Sequence, residues 1–253
     1  MPLEIVTVAC LKDNYAYLLH DAAGGGTALV DAPEAAPIAA ALAQRGWRLT
    51  DILITHHHGD HVEGVAALRE GVRVVGAAAD SHRLPPLDLA VHPGDRIEIC
   101  GEPVAVMDAS GHTVGHVAYH FARTGAVMTG DSLMALGCGR LFEGTPAQMW
   151  DTLTRIAALP PDTLVCSGHE YAESNGRFAA SVDANNPALE ARRSGIAKLR
   201  AEGRPTVPVM LGTEIKTNPF LRARDPGVKV ALGLADSDDV AAFAELRARK
   251  DRF

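Results

Sequence analysis

The chain has few cysteines, and none is arranged to hold the fold together. Cys10, Cys100, Cys138 and Cys166 are scattered over 253 residues with no Cys-x-x-Cys pair. That spacing excludes a disulfide scaffold and a structural zinc ribbon, and makes a reducing, cytoplasmic setting the default. No apolar run approaches the roughly 20 residues of a membrane span. The start, Met1-Pro2-Leu3-Glu4-Ile5-Val6, lacks the basic residues and small-residue cleavage site of a signal peptide and reads as a first strand. Positive charge is not in excess: the net charge of −7 gives no general affinity for nucleic acid or anionic membrane. No Gly-x-Ser-x-Gly elbow presents a serine nucleophile. There is no internal repeat and no low-complexity tract. What remains, with 47% hydrophobic and 22% charged residues, is an ordinary soluble protein. Its length suits one large domain or two modest ones.

The pattern along the chain predicts an α/β domain over residues 1–170 and a helical domain over 171–253. Strands are expected at 4–9, 15–20, 27–31, 51–54, 72–75, 96–100, 104–108, 118–121, 126–129 and 163–166. Helices are expected at 34–44, ended by Gly46, and at 62–70 and 148–158. Beyond Tyr171 the reading is helices and loops without strand pairs. Asn186-Pro187 opens a helix to about Glu202, and Ser237 caps a last helix with Asp238 and Asp239 in its first turn.

The densest chemistry is Thr55-His56-His57-His58-Gly59-Asp60-His61, directly after the apolar run Asp51-Ile52-Leu53-Ile54. Four candidate metal ligands in six residues would crowd a single ion, so the string implies two. His56 and His58 point the same way in an extended segment, and Asp60 and His61 turn to a second ion. His57, between them, is read as facing away.

A strand, a glycine and a ligand recur three more times, as Gly111-His112, Gly130-Asp131 and Gly168-His169. Sheets of this class bind ligands at their strand ends. The resulting assignment is His56, His58 and His112 on one metal, Asp60, His61 and His169 on the other, and Asp131 bridging. His20, His82, His92, His116 and His120 are left structural, with His116 a candidate support for the ligands. Mixed His and Asp ligands suit zinc first, and also iron or manganese.

These motifs resemble the metallo-β-lactamase superfamily over about residues 1–170. That resemblance implies a four-layer αβ/βα sandwich with a binuclear site. A closer resemblance, to the glyoxalase II (hydroxyacylglutathione hydrolase) family, covers the whole chain. It is carried by Asp13-Asn14-Tyr15, Thr55-His56-His57-His58, Gly130-Asp131-Ser132-Leu133, the run from Gly137 to Thr145, Gly168-His169-Glu170-Tyr171, Asn218-Pro219-Phe220-Leu221-Arg222 and the terminal run from Arg247 to Phe253. The resemblance maps the family's glutathione-binding residues onto Arg140, Tyr171, Arg247 and Lys250; the Arg and Lys side chains suit the two carboxylates of glutathione. Phe142 stands where the family often has Tyr, so one hydrogen bond to substrate is missing.

The reaction so implied is hydrolysis of S-D-lactoylglutathione and other S-2-hydroxyacylglutathiones by a hydroxide shared between two metal ions. Asp60 orients the hydroxide and Asp131 spaces the metals. The departing thiolate needs no dedicated acid, since a free thiol has a pKa of about 8.5. Cys138 is read as structural. The expected partner is a small-molecule thioester and the expected state a monomer. The alternatives are a lactonase or β-lactamase on the same fold, or a persulfide dioxygenase with a single iron.

Overall fold

The computed structural model describes residues 1–253. They group into two compact units. Met1–Ala109, Gly115–Gly130 and Cys166–His169 form the first; Ser110–Val114, Asp131–Val165 and Glu170–Phe253 form the second.

In chain order, the first unit contains β1 (Glu4–Cys10), β2 (Asn14–His20), β3 (Gly26–Val30), α1 (Ala35–Arg45), β4 (Arg48–Leu53), the single turns α2 (Gly59–Val62) and α3 (Val65–Leu68), and β5 (Arg73–Ala77). It continues with β6 (Leu89–Val91), β7 (Arg96–Ile99), β8 (Glu102–Asp108), β9 (Val117–Phe121) and β10 (Ala126–Gly130). The second unit then contributes β11 (Leu133–Met134), β12 (Gly137–Cys138) and α4 (Pro146–Ala157). Next comes β13 (Leu164–Ser167), whose last two residues belong to the first unit. The second unit ends with α5 (Ala172–Val182), α6 (Pro187–Ala201), β14 (Val209–Met210), α7 (Leu211–Thr217), α8 (Pro226–Leu232) and α9 (Asp239–Arg252).

In the first unit, one sheet runs β1-β2-β3-β4-β5-β6. β1, β2 and β3 pair antiparallel; β3, β4, β5 and β6 pair parallel. The apolar run in β4 lies in the parallel part, where strands are covered on both faces. Consistent with that, Ile52, Leu53 and Ile54 are fully buried. Helix α1 covers this sheet with Ile38 and Leu42, which join Leu18, Leu29, Ile52 and Val74 in one core. Gly46, left-handed at φ 65°, ends α1 as the sequence predicts. The second sheet is built from antiparallel neighbours β7–β8, β8–β9 and β9–β10. β13 enters beside β10, where Thr129 Oγ1 donates to the Cys166 carbonyl at 3.2 Å.

The second unit is mainly helical. Trp150, Phe178, Phe220 and Phe243 form an aromatic chain with centroids 5.9–6.0 Å apart. Four of its helices start at side-chain caps: α4 at Thr145, in a capping box with Gln148, α6 at Asn186, α8 at Asp225 and α9 at Asp238. Buried Glu214 accepts from the Leu136 N–H and from Asn218 Nδ2, both at 3.0 Å. The Asn218 amide also donates to the Met134 and Gly137 carbonyls. These bonds tie the β11–β12 hairpin to α7.

Three sequence expectations are corrected. The helix expected over 62–70 is two single turns, because Gly64 docks against the chain: its N–H donates to the Ala32 carbonyl at 2.8 Å, and a Cβ there would lie 2.9 Å from that oxygen. The part after Tyr171 does contain a strand, since β14 pairs with the Leu164–Val165 end of β13. The cap of α9 is Asp238, whose carboxylate accepts from the Ala241 N–H at 2.7 Å, one residue later than expected.

Candidate metal centre

The histidine-rich string leaves β4 along a defined path. The Ile54 N–H donates to the Val75 carbonyl, and the Thr55 carbonyl accepts from the Val117 N–H at 2.9 Å. His56 follows, fully buried; His58 is the N-cap of α2; Asp60 and His61 lie within that turn. Gly130, at φ 48°, ends β10 beneath it, where a Cβ would lie 2.5 Å from Thr55 Oγ1 and 2.9 Å from His116 Cε1. Only glycine fits that approach.

In the first unit the polar atoms converge closely. His56 Nε2 and His58 Nδ1 are 3.1 Å apart. His61 Nε2 and His169 Nε2 are 3.4 Å apart, with Asp60 Oδ2 at 3.8 Å and 3.4 Å from them. Donor atoms of Asp60, His61 and His169 therefore form one cluster. In the second unit, His112 Nε2 lies 3.5 Å from Asp131 Oδ2.

The far side of each ring explains why these atoms meet. His61 Nδ1 sits 2.8 Å from Asp31 Oδ2, and His169 Nδ1 sits 3.1 Å from Asp13 Oδ1. A carboxylate only accepts, so each Nδ1 donates, which in the neutral ring leaves Nε2 with its lone pair. His112 is fixed the same way, its Nδ1 donating to the Arg140 carbonyl at 2.8 Å. Thr55 Oγ1 donates to Asp31 Oδ2 and so accepts from His56 Nδ1 at 3.0 Å. Two imidazole lone pairs and a carboxylate oxygen directed at one spot repel one another until a cation sits between them. The donor set fits a divalent metal, and the outer contacts are those that orient metal-bound histidines.

Asp31 and Asp13 are the residues that sequence reasoning missed. Asp31 is buried and left-handed, at φ 56°. It also accepts from the Thr55 N–H at 2.8 Å. Asn14 Nδ2 donates to Asp60 Oδ2 at 3.0 Å, steadying a candidate ligand whose side chain is well exposed. His57 turns aside to Asp80 Oδ2 at 3.2 Å. His116 stacks on the His56 ring at 4.7 Å.

The residues mapped to substrate lie in the second unit. Phe142 is 64% exposed and its ring meets that of His112 at 5.3 Å. Tyr171 opens α5. Lys250 Nζ lies 3.2 Å from Ser174 Oγ, above the Phe178 and Phe253 rings. Burial, then the guanidinium groups of Arg247, Arg177 and Arg140, push the Lys250 ammonium below the usual lysine range, against the pull of Asp251. Arg247 is buried and donates through Nη1 to the Cys138 carbonyl at 2.8 Å. Arg140 Nε lies 3.9 Å from Asp251 Oδ1, the oxygen that also pairs with Arg247. Burial pushes the Cys138 thiol up to about 11 despite the neighbouring Arg247. At neutral pH it is no nucleophile.

Comparison with known proteins agrees with this arrangement. Residues 12–169 match the family described as the metallo-beta-lactamase superfamily, and residues 170–253 match the hydroxyacylglutathione hydrolase C-terminus. The hydroxyacylglutathione hydrolase of a Cereibacter sphaeroides strain is 63% identical over the full length of both chains. That of Ruegeria pomeroyi is 64% identical over the same extent. Among solved structures, the BLEG-1 B3 metallo-β-lactamase superposes with a TM-score of 0.68 over 86% of this chain and 99% of its own, at 20% identity, a likeness of fold alone. The sandwich half with its His and Asp cluster and the helical half are thus matched together, and the chain belongs to the hydroxyacylglutathione hydrolase family of metal-dependent hydrolases within the metallo-β-lactamase superfamily.

Proposed function

We propose that this protein hydrolyses S-D-lactoylglutathione, and other S-2-hydroxyacylglutathiones, to glutathione and the 2-hydroxy acid, the second step of methylglyoxal detoxification. The observation that carries the reading is the match of residues 170–253 to the hydroxyacylglutathione hydrolase C-terminus, the part that holds Tyr171, Arg247 and Lys250. The family boundary at 169/170 also supports reading the chain as a metal-binding domain followed by a substrate-binding domain.

The ligand assignment is His56, His58 and His112 for one ion, Asp60, His61 and His169 for the other, and Asp131 for both. Zinc is the proposed metal, with iron or manganese acceptable to the same donors. Bound there, such cations would supply a hydroxide near neutral pH, because a metal-bound water can have a pKa of about 7. The chain's residues do the rest. Asp60, steadied by Asn14, would orient a nucleophile toward the thioester carbonyl. Arg140 and Lys250 offer cations to the glutathione carboxylates. The thiolate leaves unaided, as its low proton affinity allows.

A persulfide dioxygenase with one iron would give Asp60 and His61 no role, and a lactonase or β-lactamase would not need the cations on α9. The proposed enzyme acts as a cytoplasmic monomer. Four free cysteines suit a reducing compartment, and no helix is long and apolar enough to cross a membrane. A substrate panel tests the reading. Saturable thiol release from S-D-lactoylglutathione, without oxygen uptake on glutathione persulfide, is expected. Oxygen uptake without thiol release would reverse the assignment.

A further inference from the structure

The last turn of α9 carries an acid where helix electrostatics disfavour one. A helix C-terminus is the negative end of the macrodipole and favours cations. Arg249, Lys250 and Arg252 obey that rule; Asp251, among them, does not. Its i,i+4 pairing with Arg247 also runs cation before anion, the weaker order. Helix stability alone does not account for this residue.

Its contacts do. Asp251 Oδ1 accepts from Arg247 Nε at 3.1 Å and Nη2 at 2.9 Å. Arg247 Nη1 is taken by the Cys138 carbonyl at 2.8 Å, and the guanidinium lies 5.2 Å from the Phe220 ring centroid. Arg247 is thereby held in one orientation, at 5% exposure. The same Asp251 oxygen lies 3.9 Å from Nε of Arg140, whose side chain is 65% exposed and otherwise long and mobile.

We propose that Asp251 is a positioning residue for glutathione-thioester binding: it locks Arg247 onto the Cys138 carbonyl and leashes Arg140 beside it, so that the cations meet the glutathione carboxylates already ordered. This inference rests on the hydroxyacylglutathione hydrolase reading. Asp251 contributes by preorganisation, lowering the entropy that binding must supply. Its charge alone acts the other way, since a carboxylate beside the cations repels an anionic ligand. The two roles therefore predict opposite signs.

The test is calorimetric binding of S-methylglutathione to the metal-loaded wild type, D251N and D251E. Turnover of S-D-lactoylglutathione and of the lactoyl thioester of N-acetylcysteamine, which lacks both carboxylates, is measured alongside. Positioning predicts that D251N binds S-methylglutathione about tenfold more weakly and raises KM for S-D-lactoylglutathione to match, with kcat within about twofold. D251E, which keeps the charge one methylene out of place, recovers to about threefold. KM for the uncharged thioester stays at the wild-type value. Unchanged or tighter binding by D251N overturns the proposal, as does an equal loss on both thioesters. Should D251N not fold, D251A takes its place, and unchanged or tighter binding in that variant overturns the proposal. A wild type that binds S-methylglutathione but releases no thiol removes the enzyme assignment and leaves this one standing. A wild type that binds none removes both.

Discussion

Asp31 Oδ2 lies 2.8 Å from His61 Nδ1 and takes the Thr55 hydroxyl at the same distance. One carboxylate thus sets the His61 ring directly and a second candidate ligand, His56, through Thr55 Oγ1. Asp31→Asn separates its charge from its backbone conformation, because Asn accepts the left-handed region nearly as well as Asp. We expect the variant to fold and to lose about 10–100-fold in metal affinity. Competitive chelator titration measures this, and wild-type affinity in the variant would show that Asp31 serves the backbone only.

Asp131 has a different task. As the proposed bridge it holds both ions, so Asp131→Ala should lose metal together with rate. Elemental analysis after dialysis reads metal per chain. Full metal content with a lost rate would remove the bridging role and leave Asp131 acting on the nucleophile alone.

Cys138 is excluded as a nucleophile by its surroundings, which hold the thiol protonated up to about pH 11. Cys10 and Cys100 are likewise pushed up to about 11, and burial raises Cys166 further. A raised thiol pKa keeps the unreactive neutral form over all ordinary pH, and thiolate grows only as pH approaches that value. The native protein should therefore resist iodoacetamide between pH 7 and 9, and Cys138→Ser should keep most activity. Rapid labelling of Cys138 at pH 8 would contradict this.

Phe142 is exposed beside the His112 ring. Phe142→Tyr should restore a hydrogen bond to substrate of about 1 kcal/mol, a fall in KM of about fivefold. An unchanged KM would mean that the hydroxyl at this position does not face the substrate.

The recurrent order of strand, glycine and ligand was legible because each part is local. An apolar run marks the strand, and Gly130 is required by the close approach of Thr55 and His116. Gly46 as the end of α1 and Asn186 as the start of α6 were legible for the same reason. Asp31 and Asp13 were not, since their partners His61 and His169 lie 30 and 156 residues away. Nor was β6, three residues long and paired in parallel with β5, or β14, two residues added to the edge of β13. Such short strands owe their existence to a neighbour and carry too little periodicity to announce themselves. The buried, hydrogen-bonded state of Arg247 was equally hidden, because the same terminal cation pattern suits a solvated helix end.

In the proposed function, seven side chains hold two metal ions on which hydrolysis of a glutathione thioester depends. The most direct measurement is back-titration of the metal-stripped protein with zinc, following thiol release from S-D-lactoylglutathione at each addition. No rate is expected without metal, and a rate that climbs until two ions are bound per chain. A full rate at one ion, or thiol release from the stripped protein, would contradict it.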